Sequence, residues 1–148
     1  MQARATDILR AAGVACEIVD MPTLGPLLRV AKTDVVAALS SLGAEAYDQL
    51  VDLFGTDTGA QIEITYHLRV LASMDDLYVR CAVPYDSVLP SVWQVYPAAL
   101  FPEREAAELF GFSLTGNPNP KRLLTTDGTA PLLRKSIPTR DAEEVRYS

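Results

Sequence analysis

The sequence predicts an α+β domain with a mostly antiparallel sheet, helices packed on one face of it, and an extended C-terminal tail. Apolar and polar residues alternate over 61–71 and again over 77–83, which is the period of a half-buried strand. Segments with helical character and glycine ends flank these strands, in the order α-β-β-α-β-β-β-α. That order favours an α+β domain over an alternating β-α fold.

The first half of the chain predicts two helices and two strands. Residues 3–12 suit a helix closed by Gly13, and residues 14–20 then alternate as a strand does. A second helix is predicted over 35–42, with Thr33 or Asp34 as its N-cap and Gly43 as its stop. A strand over 49–54 follows and is expected to end in a turn over 55–59.

The middle of the chain predicts a hairpin, which is the clearest local pattern. Its first strand has one apolar face and one polar face, formed by Ile62, Ile64, Tyr66, Leu68 and Val70 and by Glu63, Thr65, His67 and Arg69, respectively. A turn over 73–76 leads to a second strand with Leu77, Val79, Cys81 and Val83 on its apolar face. Pro84 ends this strand because it has no N–H to donate.

A third helix is predicted over 102–110, after a segment of 84–102 whose four prolines exclude a regular helix or a central strand. Pro102 fits the first helical position, and Gly111 fits the left-handed position that ends a helix. Glu103 and Glu105 lie in the first turn, where the helix dipole favours negative charge. The apolar side chains expected to anchor this helix on the sheet are Ala107, Phe110 and Phe112.

Composition argues against several classes of protein. The chain has 148 residues, 49% of them hydrophobic, which favours one folded domain over disorder. A formal charge of −6 argues against a nucleic-acid partner, which needs a basic face. Two cysteines and one histidine are too few for a disulfide framework, an iron–sulfur cluster or a zinc site. No apolar run approaches the ~20 residues that span a bilayer, so we expect a soluble protein in a reducing compartment.

Charge divides the chain into two parts. Residues 1–112 carry seven basic and fifteen acidic side chains, whereas residues 113–148 carry six basic and four acidic ones. We therefore expect an α+β body over 1–112 and an extended tail over 113–148. The tail contains two apolar pairs beside cations, a composition suited to docking on another protein or to wrapping around the body: Lys121, Arg122, Leu123 and Leu124, then Leu132, Leu133, Arg134 and Lys135.

No residue type in the sequence stands in a strong catalytic pattern. His67 lies on the polar face of a strand without a partner motif, so we interpret it as a structural or interface histidine. Cys16 and Cys81 alternate with apolar residues and are expected to be buried and inert. Glu103 and Glu105 project about 200° apart on a helix and do not face one reacting atom. They belong to a solvated helix end or to a charge cluster that faces a partner.

Several motifs together resemble one known family. Residues 101–112 (FPEREAAELFGF) resemble the E-R-E-x-x-D/E-x-F-G-I signature of the C subunit, or 30 kDa subunit, of respiratory complex I. The same family occurs in membrane-bound energy-converting NiFe hydrogenases. Residues 116–124 (GNPNPKRLL) and 131–135 (PLLRK) are similar to the family's G-H-P-x-L-R-R-I-L and H-P-L-R-K. Upstream pieces are YHL at 66–68, SVW at 91–93 and YPAA at 96–99.

The resemblance implies a non-catalytic structural subunit in the peripheral, electron-transfer arm of a NADH:quinone oxidoreductase. It implies that this chain carries no cofactor and packs on a large subunit, which forms the quinone site or NiFe site with a cluster-bearing small subunit. Iron–sulfur clusters are then expected in those partners. The chain has no membrane span of its own and is held, through the complex, on the cytoplasmic side of the cell membrane.

The tail departs from the family pattern, and the departures leave a second branch open. Asn117 stands where the family has His, Pro120 where it has Leu, and Lys121 where it has the first Arg. The alternative is therefore the equivalent subunit of a group 4 energy-converting NiFe hydrogenase or a related complex. In either case we expect a partner interface formed by charges of the third helix and by the tail: Glu103, Arg104, Glu105, Glu108, Lys121, Arg122, Leu123, Leu124, Leu133, Arg134 and Lys135.

Overall fold

The computed structural model describes residues 2–22 and 24–118 of the chain. Three helices lie within this range: α1 (Gln2–Ala11), α2 (Val35–Glu45) and α3 (Leu100–Phe110). The range also contains seven strands: β1 (Cys16–Met21), β2 (Gly25–Val30), β3 (Gln49–Asp57), β4 (Ile62–Val70), β5 (Asp75–Val83), β6 (Val88–Pro90) and β7 (Ser113–Thr115). Short 3-10 turns precede α2 and α3, at Lys32–Asp34 and Pro97–Ala99.

Five strands form the main sheet, in the spatial order β1-β2-β5-β4-β3. Neighbouring strands are antiparallel except at the seam between β2 and β5, which pair in parallel. This arrangement confirms the predicted α+β class with a mostly antiparallel sheet. The seam is short, because its paired residues are Leu28 with Val79 and Arg29 with Arg80.

The core lies on one face of the sheet, between the strands and the three helices. The predicted apolar face of β4 and β5 is confirmed, although Thr65 on the opposite face is fully buried as well and Val70 is only partly buried. The fully buried side chains of the apolar face are Ile62, Ile64, Tyr66, Leu68, Leu77, Val79, Cys81 and Val83. Burying an aliphatic side chain of this size stabilises the fold by about 1.5–3 kcal/mol. This register therefore fixes the orientation of the hairpin.

Two glycines predicted to end secondary structure lie inside it instead. The second helix does not stop at Gly43 but continues to Glu45. A Cβ atom at Gly43 would lie 3.0 Å from the hydroxyl oxygen of Tyr96, so the missing side chain makes room for that ring. Similarly, β3 runs through Gly55 to Asp57, and a Cβ atom at Gly55 would lie 2.7 Å from the ring of Phe110.

The third helix begins earlier than the sequence indicated. It starts at Leu100, so Pro102 occupies its third position rather than its first. Proline is tolerated there for the same reason as at the first position, because the first four N–H groups of a helix have no partner within it. Gly111 ends the helix in the left-handed conformation, with φ of 77°, as predicted.

The folded part of the chain continues beyond residue 112. Strand β7 (Ser113–Thr115) pairs in parallel with β6, and Asn117 is buried. The expected boundary between body and tail at residues 112 and 113 therefore falls between α3 and a strand that belongs to the body. Residues 119–148 lie outside the described residues.

The Gly55 contact gives a test of how α3 is seated. We expect Gly55→Ala to lower the free energy of unfolding by about 1–3 kcal/mol, because the added methyl group overpacks against Phe110. Urea unfolding of Gly55→Ala, Phe110→Leu and the double variant measures this. The double variant should lose less than the sum of the two single losses, and strict additivity would contradict the proposed contact.

Candidate functional site

Glu103 is the most buried charged residue in the part of the chain that the structure describes. Glu103 is the fourth residue of α3, and none of its surface is exposed. An isolated carboxylate in such surroundings costs several kilocalories per mole, so it must be hydrogen-bonded or lose its charge.

Three donors from two other segments of the chain, one before α3 and one after it, converge on this carboxylate. The Ser91 hydroxyl donates to Oε1, and the Val92 backbone N–H donates to Oε2 at 2.8 Å. Asn117 Nδ2 donates to Oε1 at 3.2 Å and also reaches the Leu100 carbonyl oxygen at 3.3 Å. We call Ser91, Val92, Glu103 and Asn117 the Glu103 cluster. It joins the loop before α3, the first turn of α3 and the end of the described chain.

Burial raises the pKa of Glu103 above the ordinary carboxyl value, and the hydrogen bonds from Ser91, Val92 and Asn117 oppose that rise. Both carboxylate oxygens are engaged by groups of the same chain. The cluster therefore has the properties of a structural junction, and its geometry offers no carboxylate oxygen to a substrate.

The other charged residues of α3 divide between its two sides. Arg104 is 7% exposed, and its guanidinium carbon lies 5.5 Å from the ring centroid of Phe101. Glu108 is buried, whereas Glu105 is exposed. Phe101 is 58% exposed and, with Glu105, forms the outward side of the helix. The helix is thus more than a solvated cap, and contact of its charges with a partner stays a prediction.

The tail residues of the predicted interface lie outside residues 2–22 and 24–118. They are Lys121, Arg122, Leu123, Leu124, Leu133, Arg134 and Lys135. Their docking on a partner stays a prediction as well.

The second face of the sheet carries paired polar side chains. Arg29 donates from Nη2 to Glu63 Oε1 at 2.9 Å, and Arg80 donates from Nε to Thr65 Oγ1 at 2.8 Å. Glu63, Thr65 and Arg80 are buried. The alternation seen in the sequence thus separates an aliphatic face from a face held by charged and hydroxyl groups.

His67 lies on this polar face and interacts within its own hairpin. Its Nε2 lies 3.1 Å from Asp76 Oδ1, and its ring stacks on Tyr78 with centroids 4.5 Å apart. Asp76 also accepts a hydrogen bond from Arg69 Nε at 2.7 Å, and this bond is the largest cause of a lowered pKa at Asp76. These contacts agree with the interpretation of His67 as a structural residue.

The two cysteines differ in exposure. Cys81 is fully buried in the core, and burial raises the pKa of its thiol to about 12. Cys16 was also expected to be buried but is partly exposed, because it opens β1 at the edge of the sheet. Within residues 2–22 and 24–118, no three His, Cys, Asp or Glu side chains are grouped so that they could hold a metal ion.

The Glu103 cluster was not predicted from the sequence, although its segments stand out there as motifs. Ser91 and Val92 belong to the SVW piece, and Asn117 belongs to the GNPNP piece. A signal was available in principle, because a glutamate on a short helix that is otherwise well anchored needs donors if it turns inward. Nothing in the spacing of these residues, however, indicates that they meet.

The fold places this chain in a class of α+β domains already seen in solved structures. One structural neighbour is a chain of the membrane-bound sulfane sulfur reductase, an archaeal respiratory membrane complex, with a TM-score of 0.80, 21% identity, and coverage of 99% of this chain and 90% of that one. Another is the trypsin-resistant fragment (1–134) of Nqo5, with a TM-score of 0.68, 24% identity, and coverage of 80% and 98%. At these identities the likeness concerns the fold.

The family follows from the sequence. The model of the family described as "Respiratory-chain NADH dehydrogenase, 30 Kd subunit" matches residues 28–143, and the chain belongs to this family. The C subunit of the NADH-quinone oxidoreductase of Caulobacter vibrioides is 33% identical over 145 residues, covering 95% of this chain and 74% of that protein. The protein of the same name from Ruegeria pomeroyi is 32% identical over 118 residues, covering 77% of this chain.

The chain spans 59% of the length of the Ruegeria relative. In the part of the chain that the structure describes, no helix has the length and apolar character needed to cross a membrane.

The raised pKa of Glu103 gives a pH prediction. The folded state holds this proton more tightly than the unfolded state, so from the unfolded value of 4.5 upward the folded state binds more protons. The contribution of Glu103 to the free energy of unfolding therefore falls as pH rises, until its carboxyl group is ionised in both the folded and the unfolded state. We expect Glu103→Gln to lose less stability than the wild type over that range.

Urea unfolding at a series of pH values from 4.5 upward measures the difference. Glu105→Gln, which removes an exposed carboxylate from the same helix, is the matched control for the loss of one negative charge. A wild type and a Glu103→Gln variant with parallel pH profiles would show that the folded environment does not favour the protonated carboxyl.

The cysteines give a second prediction. A maleimide should modify Cys16 in the folded protein and leave Cys81 unmodified, because Cys81 is buried and its thiol is protonated at neutral pH. Mass spectrometry of wild type and Cys16→Ser checks this. Labelling of Cys81 in the folded Cys16→Ser variant at the rate seen in denaturant would contradict the packing around β5.

Proposed function

We propose that this protein is the C-type subunit of a NADH-quinone oxidoreductase and stabilises the peripheral arm of that complex without carrying out redox chemistry itself. The observation that carries the proposal is the family match over residues 28–143, which takes in most of the sheet, α3 and most of the C-terminal segment together. The names of its relatives from Caulobacter vibrioides and Ruegeria pomeroyi support the same assignment.

The redox chemistry of the complex is proposed to belong to partner subunits. We propose that it packs on a large subunit that contributes to the quinone site, beside a small subunit that carries iron–sulfur clusters. The chain itself is proposed to hold no cofactor, consistent with a Glu103 carboxylate engaged by its own chain and a core thiol that is protonated. It is proposed to lie on the cytoplasmic side of the membrane, held there by the complex.

A second candidate is the equivalent subunit of a group 4 energy-converting NiFe hydrogenase or a related complex. The likeness to a chain of an archaeal respiratory membrane complex favours it, with a TM-score of 0.80 over 99% of this chain. The sequence identity of that likeness is 21%, whereas the two relatives from NADH-quinone oxidoreductases described above are 33% and 32% identical. Sequence similarity therefore favours the NADH-quinone enzyme.

Co-purification tests the proposal. A tagged copy of this chain, isolated from its own membranes in mild detergent, should bring down a large subunit and a cluster-bearing small subunit, with NADH-dependent quinone reduction in the eluate. Hydrogen evolution and bound nickel in the eluate would favour the second candidate. Recovery of the chain alone would contradict both.

A truncation separates folding from assembly. Removing residues 119–148 leaves Asn117 and β7 in place, so the truncated chain should keep its melting temperature. We expect it to lose its partners, because the apolar pairs and cations expected to dock lie in the removed segment. Unchanged recovery of partners would show that the body alone makes the interface.

A further inference from the structure

We propose that the Glu103 cluster fixes the place and direction in which the C-terminal segment, residues 119–148, leaves the body. On this proposal Glu103 and Asn117 are positioning residues for subunit docking rather than contacts with the partner. The inference rests on the proposed function, since it concerns how the docking segment is presented. It revises the prediction that Glu103 itself faces a partner.

The chain that leads to this segment is tied at successive points. Ser113–Thr115 pairs with Val88–Pro90 as a parallel two-stranded sheet. The Thr115 carbonyl oxygen accepts a hydrogen bond from the Ser91 N–H at 2.7 Å. Asn117, two residues later, is tied to Glu103 at 3.2 Å and to the Leu100 carbonyl oxygen at 3.3 Å.

Because of Gly116, the hydrogen bonds of Asn117 are needed to fix the direction of the chain. Gly116 has φ of +84°, in the left-handed region that glycine adopts freely, and it separates the strand pairing from Asn117. Without the hydrogen bonds of Asn117, the chain after β7 could rotate about the backbone of Gly116. Because Asn117 is held on the far side of Gly116, both the position and the heading of the chain are set before residue 119.

Setting the heading in advance increases the affinity for a partner. Because residues 113–118 are held in place before binding, they lose little conformational entropy at that step, and such preorganisation favours binding. The tie involves a hydrogen bond to a carboxylate, which is among the stronger kinds in proteins. Its removal is therefore expected to weaken docking roughly tenfold.

The roles of hydrogen-bond donor and acceptor can be exchanged between the side chains at positions 117 and 103. Asn117→Asp places a second carboxylate against Glu103, so the two repel and the tie breaks. Adding Glu103→Gln supplies an amide that can donate to the new aspartate, which restores the hydrogen bond between the two side chains but not the one to the Leu100 carbonyl oxygen. Asn117→His keeps a ring N–H donor at the position where the family motif carries histidine.

The test uses the complex in its own membranes. Cells that lack this subunit are supplied with tagged full-length variants, and the large subunit recovered with each is quantified. We expect roughly tenfold lower recovery with Asn117→Asp and recovery near wild type with Asn117→His and with Glu103→Gln/Asn117→Asp. Glu45→Gln, which removes an exposed carboxylate at the end of α2, is the charge control.

Two further measurements separate positioning from folding. The melting temperature of each isolated variant shows whether recovery falls merely because less protein is folded. Amide exchange over residues 114–117 should be faster in Asn117→Asp than in Glu45→Gln and should slow again in the double variant.

The proposal is overturned if Asn117→Asp assembles like the wild type, if its recovery falls only in proportion to its folded fraction, or if the double variant fails to recover. If even the wild type recovers no large subunit, the proposed function fails, and the exchange data alone then decide whether the cluster fixes the end of the body.

Discussion

Burial of the Glu103 carboxylate is the constraint on which the C-terminal end of the domain depends. A charged carboxylate without donors is far less stable in the interior than in water, so its position dictates where donors must lie. Ser91 and Val92 come from a loop rich in proline, and Asn117 comes from the end of the described chain. Most of residues 84–102 lie outside long helices and strands. The middle of this segment is therefore held in place by the hydrogen bonds that Ser91 and Val92 donate to Glu103 of α3.

This convergence also gives a physical account of the family resemblance. Pieces of sequence at 91–93, 101–112 and 116–124 were similar to family motifs, but each alone was short. In the structure, one residue or more from each of these pieces belongs to the Glu103 cluster. The family relation and the hydrogen bonds therefore concern the same three segments, although Asn117 itself departs from the family motif, and Glu103 of the E-R-E motif has a role within the chain.

The sheet could be predicted because its main signal is local. Alternation at period two places Ile62, Ile64 and Tyr66 on one face whatever the rest of the chain does. The positions of Gly43 and Gly55 inside a helix and a strand could not be predicted. They depend on contacts with the rings of Tyr96 and Phe110, more than 50 residues away in each case. Burial of Glu103 was missed for the same reason, since a charged residue on a short helix is ordinarily exposed.

The short parallel seam between β2 and β5 has a consequence for how the domain is held together. The meander β3-β4-β5 is built from neighbours in sequence, whereas the seam joins residues about 50 positions apart. Closing so large a loop is entropically unfavourable and is rewarded by few paired residues. Burial of Leu9 and Leu28 in the core, more than backbone pairing, therefore holds the N-terminal layer of α1, β1 and β2 to the rest of the domain. Nearly all of this layer precedes residue 28, where the family match begins, so the part of the domain that the family model covers is the meander with α3.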